Sequence, residues 1–268
     1  SLNVPEKLDR WSDDDIVHVL ASAGHDLSGD LILGGRAYDV HLAARREWER
    51  NLIRSADVPA VYPDLAGRVL AHGIAGSSAA GDFPKFTAQR EIDGEPVSVI
   101  VKFSGADDSP AVRRWSDLLV CEHLALETLI AELGIESARS TIRQYAGRTF
   151  LEVVRFDRVG AHGRLPLCSL WGLNGALLGM SGASWPAAAE ALHRNGWLPA
   201  DDVTRIRRLW WFGRLIANSD MHEGNLSFRP GLCLAPAYDM LPMAYAPARG
   251  GELPGYRFDP PQPRPEDA

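Results

Sequence analysis

Asp220 and Asn225 stand five positions apart in "SDMHEGNLSF" (219–228), with His222 between them. An Asp followed five residues later by an Asn is a spacing used in phosphoryl transfer, where the carboxylate handles the attacking hydroxyl and the amide oxygen holds a metal ion. The same residue types also cap helices and make turns, so the loop alone leaves both readings open. Asp239, in "LAPAYDMLPM" (234–243), follows Asn225 by 14 residues. That distance suits a short hairpin returning a second carboxylate to the same metal. Taken alone, Asp239 is equally a turn residue ahead of Leu241-Pro242.

Two further stretches carry candidate chemistry. Lys102 sits in "VSVIVKF" (97–103), and a lysine on the inner face of an apolar strand is costly unless its ammonium meets an anion. A nucleotide phosphate or a helix carboxylate would serve, with Glu122 on the next helix as candidate partner. An edge-strand lysine reaching water is the other reading. "GIAGSSAAGDFPKF" (73–86) is a loop of small residues, whose backbone N–H groups can approach anionic oxygens closely. It does not follow GxxxxGK[ST] and so is no Walker loop; an ordinary flexible turn has the same composition.

The elements needed to hold these residues are legible in the periodicities. Helices are expected around "DDDIVHVLAS" and "YDVHLAARREWERNLI", with a short strand, "GDLILGG", between them. "EIDGEPVSVIVKF" reads as a hairpin turning at Asp93-Gly94. Val97, Val99, Val101 and Phe103 take one face of its second strand; Ser98, Ile100 and Lys102 take the other. A long helix is predicted over 114–133, closed by Gly134. A strand pair turning at Ala146-Gly147 follows, then helices in "SWPAAAEALHRNG" and "ADDVTRIRRLWWFGRLIANS". The resulting order predicts an α+β, protein-kinase-like fold of two lobes, a small antiparallel-sheet lobe followed by a mainly helical one. The expected divisions are an N-terminal region over 1–66, the small lobe over 67–156, the helical lobe over 157–246 and a Pro/Gly-rich tail over 247–268.

Bulk properties narrow the classes. A chain of 268 residues, 46% hydrophobic, is long enough for one large domain or two lobes. A net charge of −7 argues against bulk nucleic-acid binding. The basic runs "RREWERNLIR" (45–54) and "TRIRRLWWFGR" (204–214) are interleaved as solvated helix faces. Three scattered cysteines without a CxxC spacing point to a reducing compartment. No apolar run reaches the length of a membrane span and no leader opens the chain, so a cytosolic protein without membrane contact is expected.

In this order, "SSAAGDFPKFT", "VIVKF", "CEHLALETLIAELGI", "FLEVVRFDR", "ANSDMHEGNLSF" and "LAPAYDMLP" resemble the HipA family of bacterial serine/threonine kinases, which includes toxins of type II toxin–antitoxin systems. The "DMHEGNLSF…LAPAYDMLPM" segment resembles most the branch called YjjJ or HipH. The likeness covers residues 70–246, and "LSGDLILGGRAYD" is similar to part of the family's N-terminal region. The resemblance implies an enzyme using ATP and Mg²⁺. Asp220 would be the catalytic base, and Asn225 and Asp239 would hold the metal. Lys102, paired with Glu122, would meet the ATP phosphates, with His222 close to the nucleotide. Lys85 takes the family's glycine-loop lysine position, and backbone groups near Val154 and Phe156 would meet adenine. Ser78, three residues before Gly81, takes the place of an autophosphorylated serine whose modification ejects the loop; Ser77 is the fallback acceptor.

The sequence departs from the family at Phe83, where a Gln is common, and at Val154, where a Glu often stands. It ends 26 residues past Pro242 in a proline-rich tail, so a shortened C-terminal part is expected. Relatives phosphorylate aminoacyl-tRNA synthetases, which the resemblance offers as the substrate class, with an antitoxin as a second partner. A catalytically idle kinase-like binding module and a small-molecule phosphotransferase on the same fold are the alternatives.

Overall fold

The computed structural model describes Val4 and residues 10–72, 83–180, 182–248, 250–255, 257–259 and 261–262. The expected glycine-rich loop, with Ser77 and Ser78, lies outside these residues.

Helix α1 (Asp13–Ala23) opens on a capping box in which Ser12 and Asp15 satisfy each other's backbone N–H groups. Helix α2 (Gly35–Arg46) ends at Glu47. The continuous helix expected to run on through "EWERNLI" instead breaks into α3 (Trp48–Asn51) and a two-residue strand, β1 (Leu52–Ile53). Helix α4 (Val58–His72), with Pro63 inside it, was not among the expected elements. Its buried residues Val58, Tyr62, Ala66 and Val69 nevertheless keep a helical stripe. The β2 (Lys85–Ile92) and β3 (Glu95–Phe103) hairpin turns at Asp93 and Gly94, both at positive φ.

Helix α5 (Pro110–Leu133) starts four residues before its expected position. Ser109 caps it, Pro110 takes the first turn, and Gly134 closes it in the left-handed conformation. The β4 (Ser140–Tyr145) and β5 (Arg148–Val154) hairpin turns at Ala146-Gly147 as expected. A small hairpin of β6 (Arg158–Val159) and β7 (Gly163–Arg164) follows, then β8 (Cys168–Ser169) and the short α6 (Leu170–Leu173). Helices α7 (Trp185–Arg194) and α8 (Ala200–Leu215) match the sequence reading. Strands β9 (Ser227–Arg229) and β10 (Cys233–Leu234) form a hairpin whose β9 also pairs with β8.

The larger sheet has the order β1-β2-β3-β5-β4. It is mixed rather than purely antiparallel, since β1 runs parallel to β2 with Leu52 opposite Gln89 and Ile53 opposite Arg90. The fully buried Arg90 guanidinium fixes this edge by donating to the Ile53 carbonyl at 2.6 Å. The chain divides into two compact units, and the division runs through β3 and β5. The first takes Ser1–Ser78, Pro84–Val101 and Val154–Leu167; the second takes Ala79–Phe83, Lys102–Val153 and Cys168–Ala268.

In the first unit, the strand expected at "GDLILGG" is absent. Its backbone partners are side chains instead of a neighbouring strand. The Gly29 N–H donates to Asp157 at 2.9 Å, and the Arg158 and Arg164 guanidiniums donate to the Leu27 and Gly29 carbonyls. Arg155 and Arg158 also pair with Asp157 and Asp26. Five charged side chains thus form the network that holds the segment where a ladder was predicted.

In the second unit, α7 and α8 pack with α5 around a core that includes Leu126, Leu129, Trp185, Leu192, Ile206 and Leu209. A smaller cluster joins Phe83, Leu118, Leu119, Leu151 and Leu241. Among the described residues, no helix is long and apolar enough to cross a membrane.

Asp157 is buried, and burial alone would raise its proton affinity. The Arg155 guanidinium, the Gly29 N–H and Arg158 outweigh this and hold the carboxyl below the ordinary carboxylate range. Its contribution is therefore complete above the unfolded-state value and is lost as pH falls through the lower folded one. Asp157→Ala, which leaves two buried guanidiniums sharing Asp26 alone and the Gly29 N–H without its acceptor, is expected to lower stability by about 3 kcal/mol at neutral pH. The deficit should shrink as the medium is acidified below the ordinary carboxylate range. Urea unfolding at neutral and acid pH checks both statements; an unchanged midpoint at neutral pH would refute them.

Candidate active site

Helix α8 hands the chain to the polar loop through a left-handed Ala217 (φ 59), at a place usually held by glycine. The next residue, Asn218, is buried and bonds in both directions. Its Oδ1 accepts the Asp220 N–H at 3.0 Å, and its Nδ2 donates to the Asp239 carbonyl at 3.3 Å. One amide therefore ties the two carboxylate-bearing segments together.

His222 caps the short 3-10 turn Glu223–Asn225. Its Nδ1 accepts the Gly224 N–H at 3.0 Å, which puts the proton of the neutral ring on Nε2. That Nε2 lies 3.9 Å from Asp220 Oδ1. The His222 carbonyl is held by the Trp185 indole N–H. Asn225 donates its Nδ2 to the Asp220 carbonyl at 2.9 Å, so Oδ1 is the atom it has for a cation. Across the β9–β10 hairpin, the Tyr238 hydroxyl donates to the Gly224 carbonyl at 2.8 Å. The residues before Asp239 and before Asn225 are thereby joined.

Lys102 is the electrostatic centre of the second unit. Its ammonium donates to both Glu122 oxygens at 2.8 Å and also to Asp239. Glu122 is almost fully buried, while the Asp239 side chain keeps 36% of its surface exposed. Burial by itself would ease the proton off Lys102; Asp239 and Glu122 outweigh it and raise the affinity well above the ordinary lysine value. Burial likewise pushes Tyr238 up to about 12, against the Ser227 hydrogen bond and with a further push from Asp239.

Lys102, Glu122, Asp220, His222, Asn225 and Asp239 all belong to this unit. Lys85 is an exposed residue of β2 in the first unit. Val154 and Phe156 also belong to the first unit and flank Arg155, whose N–H donates to the Ser98 carbonyl at 2.9 Å. Sequence reasoning missed Asn218 and Tyr238. The signal for the first was an Asn two residues before the Asp, which suits a side-chain bond to the backbone.

Among the described residues, no three of His, Cys, Asp and Glu gather as a metal-binding group. Mg²⁺ needs fewer protein ligands, since it keeps waters and takes phosphate oxygens. The Asp239 carboxylate and the Asn225 amide oxygen are hard oxygen donors of the kind it uses, so the residues fit such an ion.

Residues 77–258 match the model of the HipA-like C-terminal domain, and residues 1–42 match that of the middle domain of YjjJ-like toxins. The chain is 36% identical over 256 residues to toxin YjjJ of Escherichia coli strain K12, covering 94% of this chain and 57% of that protein. It thus spans little more than half of that relative's length. Among solved structures, it resembles HipA from the Shewanella oneidensis MR-1 toxin–antitoxin complex with HipB and operator DNA. That match has 17% identity and a TM-score of 0.56, and covers 90% of this chain and 60% of the other. A weaker likeness is to the Helicobacter pylori proinflammatory kinase CtkA, at 16% identity and a TM-score of 0.42, covering 59% and 53% of the two chains. The Shewanella likeness shows the fold, the α+β, protein-kinase-like, two-lobed arrangement.

Tyr238 holds its proton in the folded state up to about pH 12, whereas the unfolded state releases it near 10. Stability should therefore fall as pH rises between these values. Tyr238→Phe is expected to flatten that decline. Spectrophotometric titration should also show one of the six tyrosines ionising last in wild type and missing from the variant. A variant with the same late phase would assign it to another tyrosine.

Proposed function

The chain belongs to the HipA-like family, and from that premise we propose that it is an ATP- and Mg²⁺-dependent serine/threonine protein kinase of the HipA toxin type. One observation carries the reading: the Lys102 ammonium is held between Glu122 and Asp239, while Asn218 ties the Asp239 backbone to that of Asp220. An idle binding fold has no use for a buried lysine, a base and two oxygen ligands joined in this way.

In the proposed reaction, Asp220 accepts the proton of the attacking hydroxyl. Lys102 places a point charge against the nucleotide phosphates, with its direction fixed by Glu122. Asn225 Oδ1 and the Asp239 carboxylate would hold Mg²⁺, which supplies charge neutralisation of the transferring phosphoryl group. His222, with its proton on Nε2, donates toward the nucleotide. Lys85 and the backbone near Val154 and Phe156 complete nucleotide binding in this proposal, and Ser78, with Ser77 as fallback, is the autophosphorylation acceptor.

The divisions at 66, 156 and 246, a cytoplasmic location and a protein substrate of the aminoacyl-tRNA synthetase class belong to the same reading. The Shewanella relative's complex with HipB supports an antitoxin as a second partner. Since the chain spans little more than half of its curated relative, activity is to be measured on this chain itself.

Intact-mass measurement after incubation with Mg²⁺ and ATP is expected to show the gain of one or more phosphates, abolished in Ser78→Ala. Asp220→Asn should keep the fold and nucleotide binding and lose on the order of 10²–10⁴-fold in rate. Asp239→Ala should weaken ATP binding only when Mg²⁺ is present, as calorimetry with and without the ion would show. No mass gain in wild type, or full activity in Asp220→Asn, would remove the kinase reading.

A further inference from the structure

A second charged cluster lies wholly inside the first unit. A cavity of about 210 Å³ opens between helix α2, the turn after α1 and the β6–β7 hairpin. His41 and Arg45 reach it from one face of α2, being four residues apart. Arg158, His162 and Arg164 reach it from the hairpin, and His25 and Asp26 from the turn.

The hairpin places Arg158 directly opposite Arg164, and like charges in a cross-strand pair repel. Arg158 shares Asp157 and Asp26 with Arg155. Arg164 donates to the carbonyls of His25, Leu27 and Gly29, and no carboxylate among the described residues pairs with it. Four guanidiniums, with Arg45 counted, thus face two carboxylates. The Nδ1 of His162, on a ring held edge-on by Trp48 at 5.6 Å, is buried with no hydrogen-bond partner among the described residues. His41 takes up a proton less readily than an ordinary histidine, first because of burial and then because of Arg164, Arg45, His25 and Arg158. The cavity therefore has donors and positive charge in excess of what the fold uses.

We propose that this cavity binds a phosphate dianion, either free or as the phosphate of a small polar monoester. About 210 Å³ is on the order of seven waters' volume and below the roughly 300 Å³ at which larger ligands are enclosed. It holds one phosphate group and not a whole nucleotide. Asn51, Thr87, Gln89 and Ser98 line both this cavity and a neighbouring cleft of about 670 Å³ in the same unit. The organic part of a monoester would occupy that cleft, where these hydrogen-bonding side chains suit hydroxyl groups.

Calorimetry with inorganic phosphate and with ribose 5-phosphate near pH 7.5 tests the assignment. Saturable binding of one ligand per chain is expected, roughly tenfold weaker in His162→Ala and in Arg45→Gln, the loss of one hydrogen bond to a charged group. Arg45 lies at the cavity wall and does not tie down the backbone as Arg164 does, so thermal unfolding of Arg45→Gln without ligand should match wild type, while His162→Ala, which also loses the Trp48 ring contact, is compared once its circular dichroism matches wild type. Asp239→Ala should bind phosphate unchanged, which separates this site from the proposed kinase centre. Tighter binding of ribose 5-phosphate assigns the site to monoesters; equal affinity assigns it to free phosphate. Absence of saturable binding, or equal affinity in wild type and both wall variants, would overturn the proposal.

Discussion

The ammonium of Lys102 is the charge around which the second unit is arranged. A buried lysine is tolerated only where opposite charge and hydrogen bonds replace its water. Here the partners come from two distant places in the sequence, Glu122 on α5 and Asp239 after β10. The Lys102–Glu122 bond sets the rotation of α5 about its own axis, because only one face of the helix can present a carboxylate to the end of β3. That same rotation turns Leu118, Leu119, Leu126 and Leu129 into the core. Polar pairing and apolar burial therefore specify one helix orientation, and neither could change without the other.

The loop segments depend on this arrangement and on backbone strain localised beside it. Ala217 and Asp239 both adopt the left-handed conformation, at φ 59 and 53. Such a backbone is unfavourable for alanine and milder for aspartate. Asn218 spans the two by bonding to the Asp220 N–H and the Asp239 carbonyl. Beneath them, Met240, Leu226 and Ala237 belong to the main core. The candidate residues thus sit on short irregular segments fixed from below by apolar packing and from the side by one amide.

Much of this was legible in the chain because the signals are local. The hairpin turns at Asp93-Gly94 and Ala146-Gly147, the closing Gly134 of α5, the Ser184 cap of α7, and the period of α8 each follow from residues within a few positions. The candidate partner of Lys102 was also readable, since a helix following a strand offers few buried carboxylates. What failed were segments governed by partners far away in sequence. "GDLILGG" has strand composition, but its backbone groups bond to Asp157, Arg158 and Arg164, more than 120 residues on. "NLI" continues a helical period, yet Leu52 and Ile53 leave the helix to pair with β2. Helix α4 went unassigned although Val58, Tyr62, Ala66 and Val69 form a buried helical stripe. Asn218 escaped notice because a neighbouring Asp held the more familiar chemistry.

The two ionic clusters are built on opposite compositions. Around Lys102, two carboxylates face one ammonium; in the first unit, four guanidiniums face two carboxylates. The chain's overall charge of −7 describes neither, since electrostatic attraction over a few ångströms is set by nearby groups and screened beyond about 8–10 Å. An ionic network that served stability alone would tend toward pairing, because each unpaired charge adds a desolvation cost with nothing to offset it. A persistent excess of one sign is therefore better explained by an ion of the other sign completing the network. On that argument the cluster around Arg164, where no carboxylate among the described residues pairs with the Arg164 guanidinium, calls for an anion.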